Sequence, residues 1–409
     1  MLWGGLKPIR RRFLIDVGTL SALTYSVLIP PALFAFAHKG ILITSCLITY
    51  FTAGLTKRWT VSFPMIPIIL LQLSRYTLDL SSPSWTAFAI QNISLLLLAN
   101  SFILTILFPA VNISRPNGKH NVGIIDVHLP VDNFEHDHVT VKLLYPTKEK
   151  SGRVPYFNEE TSKRICKALM KVGAPPPLNK LGFMLDQWRL STVHGKRNAI
   201  PHVPDAMENS TKGKAERSKL PIVVYSHGLT GTAEIYSYQN MSLAANGTLV
   251  MSITHSDASA IGVKRKDGSF IDYDPLISQL AKKKDSFIES VQRRRGQVDY
   301  RARELLAAVD ALIQLNQTNN VEQIGVSFVD KLDLNDIIVM GHSFGGATSI
   351  TAANMRPHLF TSCIAHDPAV DWCTDGKLLV ARSFLYSSNE YEYVPSFILI
   401  VMLTSVASK

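Results

Sequence analysis

Asp336-Ile337-Ile338-Val339-Met340 leads into Gly341-His342-Ser343-Phe344-Gly345-Gly346, and that turn opens onto Ala347-Thr348-Ser349-Ile350-Thr351-Ala352-Ala353. An apolar, β-branched run reads as a buried strand, the glycine-flanked serine as a sharp turn, and the small residues as a helix. A side chain at Gly341 or Gly345 would collide with the neighbouring strand or helix once the turn tightens. The geometry lifts Ser343 Oγ clear of the sheet and aims the Phe344 amide, at a helix N-terminus, at the place where a tetrahedral oxyanion forms.

A strand, a serine turn and a helix in this order form the nucleophile elbow of an α/β-hydrolase fold, a mostly parallel sheet with helices on both faces. A second loop supports this. Pro221-Ile222-Val223-Val224-Tyr225-Ser226 reads as a buried strand running into His227-Gly228-Leu229-Thr230-Gly231, the place where this fold draws its other oxyanion donor. Gly228 lets the backbone turn inward, the Leu229 amide pairs with that of Phe344, and His227 braces the loop. The strand Ser362-Cys363-Ile364-Ala365 ends at His366-Asp367-Pro368, so Asp367 takes the place of the triad acid and Asp371 is the second choice.

The third member of such a triad is a histidine C-terminal to the acid. The last histidine of the chain is His366. The apolar run 394–406 has the composition of the strand that precedes a histidine-bearing loop. Two expectations follow: an esterase sequence that stops before the loop, or a non-catalytic relative that keeps the elbow as structure.

The chain has 409 residues, 46% apolar, with 42 basic and 32 acidic residues and a formal charge of +10. Its apolar residues crowd into 13–112, whereas 113–335 has the composition of a water-soluble protein. Residues 1–112 are therefore expected to be a membrane region and 113–409 a hydrolase domain. Stretches 13–37, 40–55, 59–73 and 86–112 give two to four transmembrane helices, the first and last being long enough to span a bilayer. Arg10, Arg11 and Arg12 place the N-terminus in the cytosol, and an even number of spans puts the hydrolase domain there too. The positive charge is accounted for by the flanks of the spans and by solvated faces, so membrane lipids are the expected partners. No interleaving of aromatic and basic residues points to nucleic acid. Four cysteines, Cys46, Cys166, Cys363 and Cys373, show neither a disulfide framework nor metal spacing, and no metal or cofactor is expected.

Within the globular part, 121–127 and 139–145 read as strands, 233–245 as a helix and 248–253 as a strand. The end of that strand, His255-Ser256-Asp257, is expected to shape a pocket rim. The stretch 276–315 reads as a long helix with Val291, Val298, Leu305, Ala308 and Leu312 at helical spacing; 282–284 and 293–295 are its solvated basic face.

Ser226-His227-Gly228-Leu229, the run 341–348 (GHSFGGAT) and the strand ending in Asp367 resemble the secreted-type (isoform II) platelet-activating factor acetylhydrolases. So do Val122-Gly123-Ile124-Ile125-Asp126, Val141-Lys142-Leu143-Leu144-Tyr145-Pro146, Pro155-Tyr156-Phe157 and His255-Ser256-Asp257-Ala258-Ser259. The resemblance covers roughly 117–370. It implies calcium-independent removal of a short, typically acetyl, sn-2 acyl group from a glycerophospholipid, with Ser343 as nucleophile, Asp367 as acid and the amides of Leu229 and Phe344 as oxyanion hole; a general esterase of the same fold with a non-phospholipid substrate is the further alternative. Two departures stand out: the family's C-terminal histidine is absent, and the N-terminal part is not its secretory signal.

Overall fold

The computed structural model describes residues 6–8, 17–18, 20–21, 24, 85–107, 111–132, 134–180, 182–204, 219–280, 286–318, 324–373, 383–387 and 397–402. The chain forms two compact units, one of 1–5, 114–154 and 193–409, the other of 6–113 and 155–192.

The larger unit is built on a mixed sheet. β1 (Asn121–Pro130) and β2 (His138–Thr147) form an antiparallel pair, and each extends past the expected strand at both ends or at one. β3 (Thr192–Arg197) runs parallel to β1 on its outer side. β4 (Leu220–Ser226) is buried along its whole length, as a strand covered on both faces must be. Helix α1 (Ser237–Ala245) follows, then β5 (Leu249–Thr254), helix α2 (Phe287–Gln317), β6 (Leu332–His342), helix α3 (Phe344–Met355) and β7 (Ser362–His366). β8 (Ser383–Ser387) and β9 (Phe397–Met402) complete the order β3-β1-β2-β5-β4-β6-β7-β9-β8.

β5, β4, β6 and β7 are mutually parallel. The chain steps from β4 outward to β5, then returns through α2 to place β6 on the other side of β4. The order thus reverses at β4, and the loops after β4 and β6 lie side by side at the carboxyl ends of the strands, where open α/β sheets bind their ligands. The core beneath is one cluster: Val139, Leu143, Ile222, Val224, Met251, Val339 and Cys363 from the sheet meet Ala302, Leu305, Val309 and Leu312 from α2. Together these features make an α/β-hydrolase fold.

Three local expectations are corrected. Residues 233–236 form turns, not helix: Ile235 N–H bonds Thr232 O and Ser237 N–H bonds Glu234 O, while Ala233 N–H is taken by Thr254 Oγ1. The stretch 276–315 is divided into Leu276–Leu280 and α2, with 281–285 outside the described residues. The strand within 394–406 runs antiparallel to β7, with Ile398 beside His366 and Met402 beside Ser362. β9 therefore runs away from the elbow, from beside His366 to beside Ser362.

In the smaller unit, Glu159–Gly173 is an amphipathic helix that buries Ile165, Cys166 and Met170 and is capped by Asn158 accepting from Glu160 N–H at 3.0 Å. Trp85–Leu107 is a helix of 23 residues. Among the described residues no helix is long and apolar enough to cross a membrane; Gln91, Asn92 and Asn100 interrupt the apolar run of this one. The stretches 40–55 and 59–73 lie outside the described residues, as does nearly all of 13–37.

Candidate active site

The turn between β6 and α3 is as tight as its glycines allow. A Cβ on Gly341 would come within 2.2 Å of Gly345 O, and one on Gly345 within 2.1 Å of Ser226 O, both far inside contact distance. Ser343 itself sits at φ 53° and ψ −115°, a conformation L-residues rarely adopt and one that tertiary structure must enforce. The restraint is visible. Ser343 N–H bonds His366 O at 2.8 Å, and Ser343 O accepts from Ala369 N–H at 3.1 Å and Ala347 N–H at 3.2 Å. The same bonds draw the segment after β7 against the elbow. Asp367, also at positive φ (44°), stands exposed beside it. Asp371 lies one turn on, in Val370–Trp372, with its carbonyl bonded by Arg295 Nε and Nη2 at 3.2 Å each.

The loop after β4 is held on several sides. Gly228 N–H donates to Tyr236 Oη at 3.1 Å, and Gly228 O meets His227 Nδ1 at 2.7 Å and Gly231 N–H at 3.0 Å. His227 is wholly buried; burial, then the charge of Arg301, holds its imidazole well below the ordinary pKa. Its Nε2 accepts the amide of His255 at 3.1 Å, so the proton of the neutral ring lies on Nδ1 and is given to Gly228 O. Among the described residues, neither the Leu229 amide nor the Phe344 amide has an acceptor in the protein. The half-buried Ser343 thus lies on the loop after β6, beside the loop after β4, and each loop carries one amide with no acceptor among the described residues.

Histidines crowd the strand ends without reaching the serine. His342 Nδ1 bonds Tyr236 Oη at 2.8 Å, which orients the Tyr236 oxygen toward Gly228 N–H. Burial lowers the pKa of His342, with Asp367 opposing, and also that of His366, with His342 adding to it. Among the described residues no side chain hydrogen-bonds Ser343 Oγ.

A second Ser–His–carboxylate chain lies within the core: Ser226 Oγ at 2.9 Å from His255 Nε2, and His255 Nδ1 at 2.6 Å from Glu304 Oε2. It has the connectivity of a triad, but Ser226, His255 and Glu304 are 0%, 0% and 1% exposed and cannot meet a substrate. His255 is thus interior, not part of a pocket rim. The expected solvated face of α2 holds at Arg293 and Arg295, which are exposed, but not at Arg294, which is buried with its guanidinium 5.7 Å from the Phe344 ring and 6.0 Å from Trp372. Arg301, which the sequence reading passed over, is 0% exposed and reaches His227 O. The signal was available. Residues 294 and 301 fall on the same stripe as Val298, Leu305 and Ala308, and a charge on the apolar stripe of a core helix is a functional marker. A surface groove lined by Asp132, Phe134, Arg303 and Gln314 contains none of the elbow residues.

Comparison with known proteins places this geometry. Residues 105–374 match the model of platelet-activating factor acetylhydrolase, isoform II. The dog protein named platelet-activating factor acetylhydrolase is 27% identical over 255 residues, 59% of this chain and 51% of that one. A fission-yeast (Schizosaccharomyces pombe) protein named putative phospholipase A2 is 27% identical over 148 residues, 32% of this chain and 34% of its own. Among solved structures, a ferulic acid esterase from Streptomyces cinnamoneus aligns over 61% of this chain and 59% of that one at 18% identity and a TM-score of 0.39. The chain spans about half the length of the curated dog relative it matches. With the family model matched over well more than half of its residues, the chain belongs to the platelet-activating factor acetylhydrolase, isoform II, family.

Proposed function

We propose that the chain is a serine carboxylic-ester hydrolase that removes a short, acetyl-sized sn-2 acyl group from glycerophospholipids of the platelet-activating factor type. The observation that carries the reading is Ser343, held at φ 53° on a glycine turn between two amides with no acceptor of their own. Ser343 Oγ attacks the ester carbonyl, and the carbonyl oxygen becomes an oxyanion held by the Leu229 and Phe344 amides. Collapse expels the lysophospholipid alcohol and leaves an acyl-serine, which water cleaves to the free acid. Asp367 is the acid that orients a base, and the base itself is the open part of the scheme. His342 is committed to Tyr236, and His227 and His255 are buried. An elbow and oxyanion hole working without a base retain about 10³-fold to 10⁴-fold acceleration over water.

That same lack favours one rival reading, a non-catalytic lipid binder. Ser343→Ala should abolish release of p-nitrophenol from p-nitrophenyl acetate and of acetate from an sn-2 acetyl phospholipid; a variant that keeps either activity refutes the serine mechanism. Labelling of Ser343 by a fluorophosphonate separates the rivals. Rapid labelling excludes the binder, and no labelling after long exposure excludes the esterase. A series of sn-2 chains from acetyl to palmitoyl, read as kcat/KM, should fall steeply with length.

The enzyme reading is joined to a membrane. In the helix Trp85–Leu107, Leu98, Ser94 and Ser101 are buried, while Phe88, Ile93, Leu96, Ile103 and Ile106 are more than half exposed, and the polar Asn92 and Asn100 are exposed as well. The exposed apolar side chains favour an N-terminal anchor with membrane lipids against them; the multi-pass arrangement, a phospholipid substrate drawn from the adjoining leaflet and a cytosolic hydrolase domain belong to the same proposal.

A further inference from the structure

Resting on the serine-esterase reading of the elbow, we propose that Arg301 is the positioning residue of the oxyanion hole, tying the loop that carries one amide donor to the residue that carries the other. The guanidinium is wholly buried. Its Nη2 donates to His227 O at 2.5 Å, and its central carbon lies 4.8 Å from the centroid of the Phe344 ring. One side chain therefore touches both residues that border the oxyanion site, from the side away from substrate.

The consequence runs through peptide geometry. Arg301 fixes His227 O, and the His227 ring in turn holds Gly228 O through Nδ1–H at 2.7 Å. In a trans peptide the C=O and N–H point in opposite directions. Holding Gly228 O on the His227 ring turns the Leu229 N–H away from that ring, where it has no acceptor among the described residues. On the other side, the guanidinium face against Phe344 fixes the ring of the first residue of α3, and with it the amide at the helix N-terminus. Without Arg301, both donors lose the support that aims them.

A purely structural role explains the residue poorly. Position 301 lies on the apolar stripe of α2, between Val298 and Leu305, yet its guanidinium is set among His227, Asp257 and Glu304 rather than among apolar side chains alone. Arg301 Nε and Nη1 are buried with no partner among the described residues, as is Asp257 Oδ2 nearby on the loop after β5. Unpartnered buried donors are costly, and natural sequences keep them where function repays the cost.

The test compares the full chain with Arg301→Met, which keeps volume and removes the donor, and Arg301→Lys, which restores a donor and the charge. With p-nitrophenyl acetate, Arg301→Met should lower kcat at least tenfold with KM within threefold, because the lost contact acts on the transition state. Arg301→Lys should recover at least threefold of that loss. Circular dichroism and thermal unfolding establish that both variants are folded. Independently of turnover, hydrogen exchange of the amides of 227–231 should rise at least tenfold in Arg301→Met. A kcat within twofold of wild type, or unchanged loop exchange, overturns the proposal, as does a lysine variant that folds and recovers nothing. If the wild-type chain neither turns over ester nor labels at Ser343, the esterase reading fails; the exchange data then decide the clamp alone, a rise supporting it and no change refuting it.

Discussion

Glu304 carries a pH dependence of its own. It is buried on α2, accepting Ser256 N–H at 3.2 Å and the Ser256 hydroxyl at 2.5 Å on Oε1, with Oε2 on His255 Nδ1. Burial, partly offset by the Ser256 bonds, pushes its carboxyl up to about 8 from 4.5. Asp257, Arg301, Tyr300 and His255 are the other titratable groups around it. With the proton on Glu304, its hydroxyl donates to His255 Nδ1, and His255 Nε2–H donates to Ser226 Oγ. Between pH 4.5 and 8 the folded chain keeps a proton that the unfolded chain has lost. The contribution to stability is thus complete below 4.5 and is lost as pH rises through 8, at about 1 kcal/mol per pH unit. Glu304→Gln copies the protonated acid at every pH. Urea unfolding of wild type should show stability falling from pH 5 to pH 8 by roughly 2 kcal/mol or more relative to the glutamine variant; parallel profiles would exclude the linkage. The sequence marked His255-Ser256-Asp257 as a rim and 293–295 as a solvated face, but not Arg301 or Glu304, because charges on a helix look like solvated surface until the stripe they share with Val298 and Leu305 is counted. Ser343, Gly341, Gly345 and Gly228 were legible because local backbone demands are written in adjacent residues.

At the scale of elements, the β6–α3 turn is the most constrained joint of the larger unit. The methyl of Gly345→Ala would be forced into Ser226 O, 2.1 Å from the ideal Cβ position, so the substitution should cost about 3 kcal/mol or more. Gly296 gives the matched control. It lies exposed within α2 with nothing within 4 Å of its ideal Cβ, and Gly296→Ala should raise stability by about 1 kcal/mol. Chemical denaturation of the two variants in parallel tests the contrast; equal shifts would mean that the elbow is not held as tightly as its contacts imply. The central strands were legible for a related reason: β4, β5 and the half of β6 from Ile337 are largely apolar runs that lead into turn residues. What failed lay at the ends of elements and in strand direction. Residues 233–236 have helical composition, but Thr254 Oγ1 takes the Ala233 N–H from the far side of the loop. An apolar run such as 397–402 carries no mark of which way it will pair with β7, since direction is fixed by where the preceding chain enters.

For the whole molecule, the sequence divides by composition into an apolar N-terminal part and a water-soluble remainder, and the structure divides it into two units with a different boundary, residues 155–192 grouping with 6–113. The apolar part bears on where the chemistry takes place. A phospholipid with a short sn-2 chain leaves a bilayer more readily than one with two long chains, since each buried methylene contributes about 0.8 kcal/mol of anchoring. An esterase carried on the membrane surface meets either kind without waiting for desorption. The exposed apolar residues of Trp85–Leu107, Leu96 at 70% and Phe88 at 61% among them, favour such an anchor. If the apolar faces lie in lipid, sodium carbonate at pH 11 should leave the full chain in the membrane pellet, and only detergent should release it. Quantitative release by carbonate would show a peripheral protein, remove the argument for a leaflet-bound substrate, and leave the esterase reading of Ser343 to be judged by labelling alone.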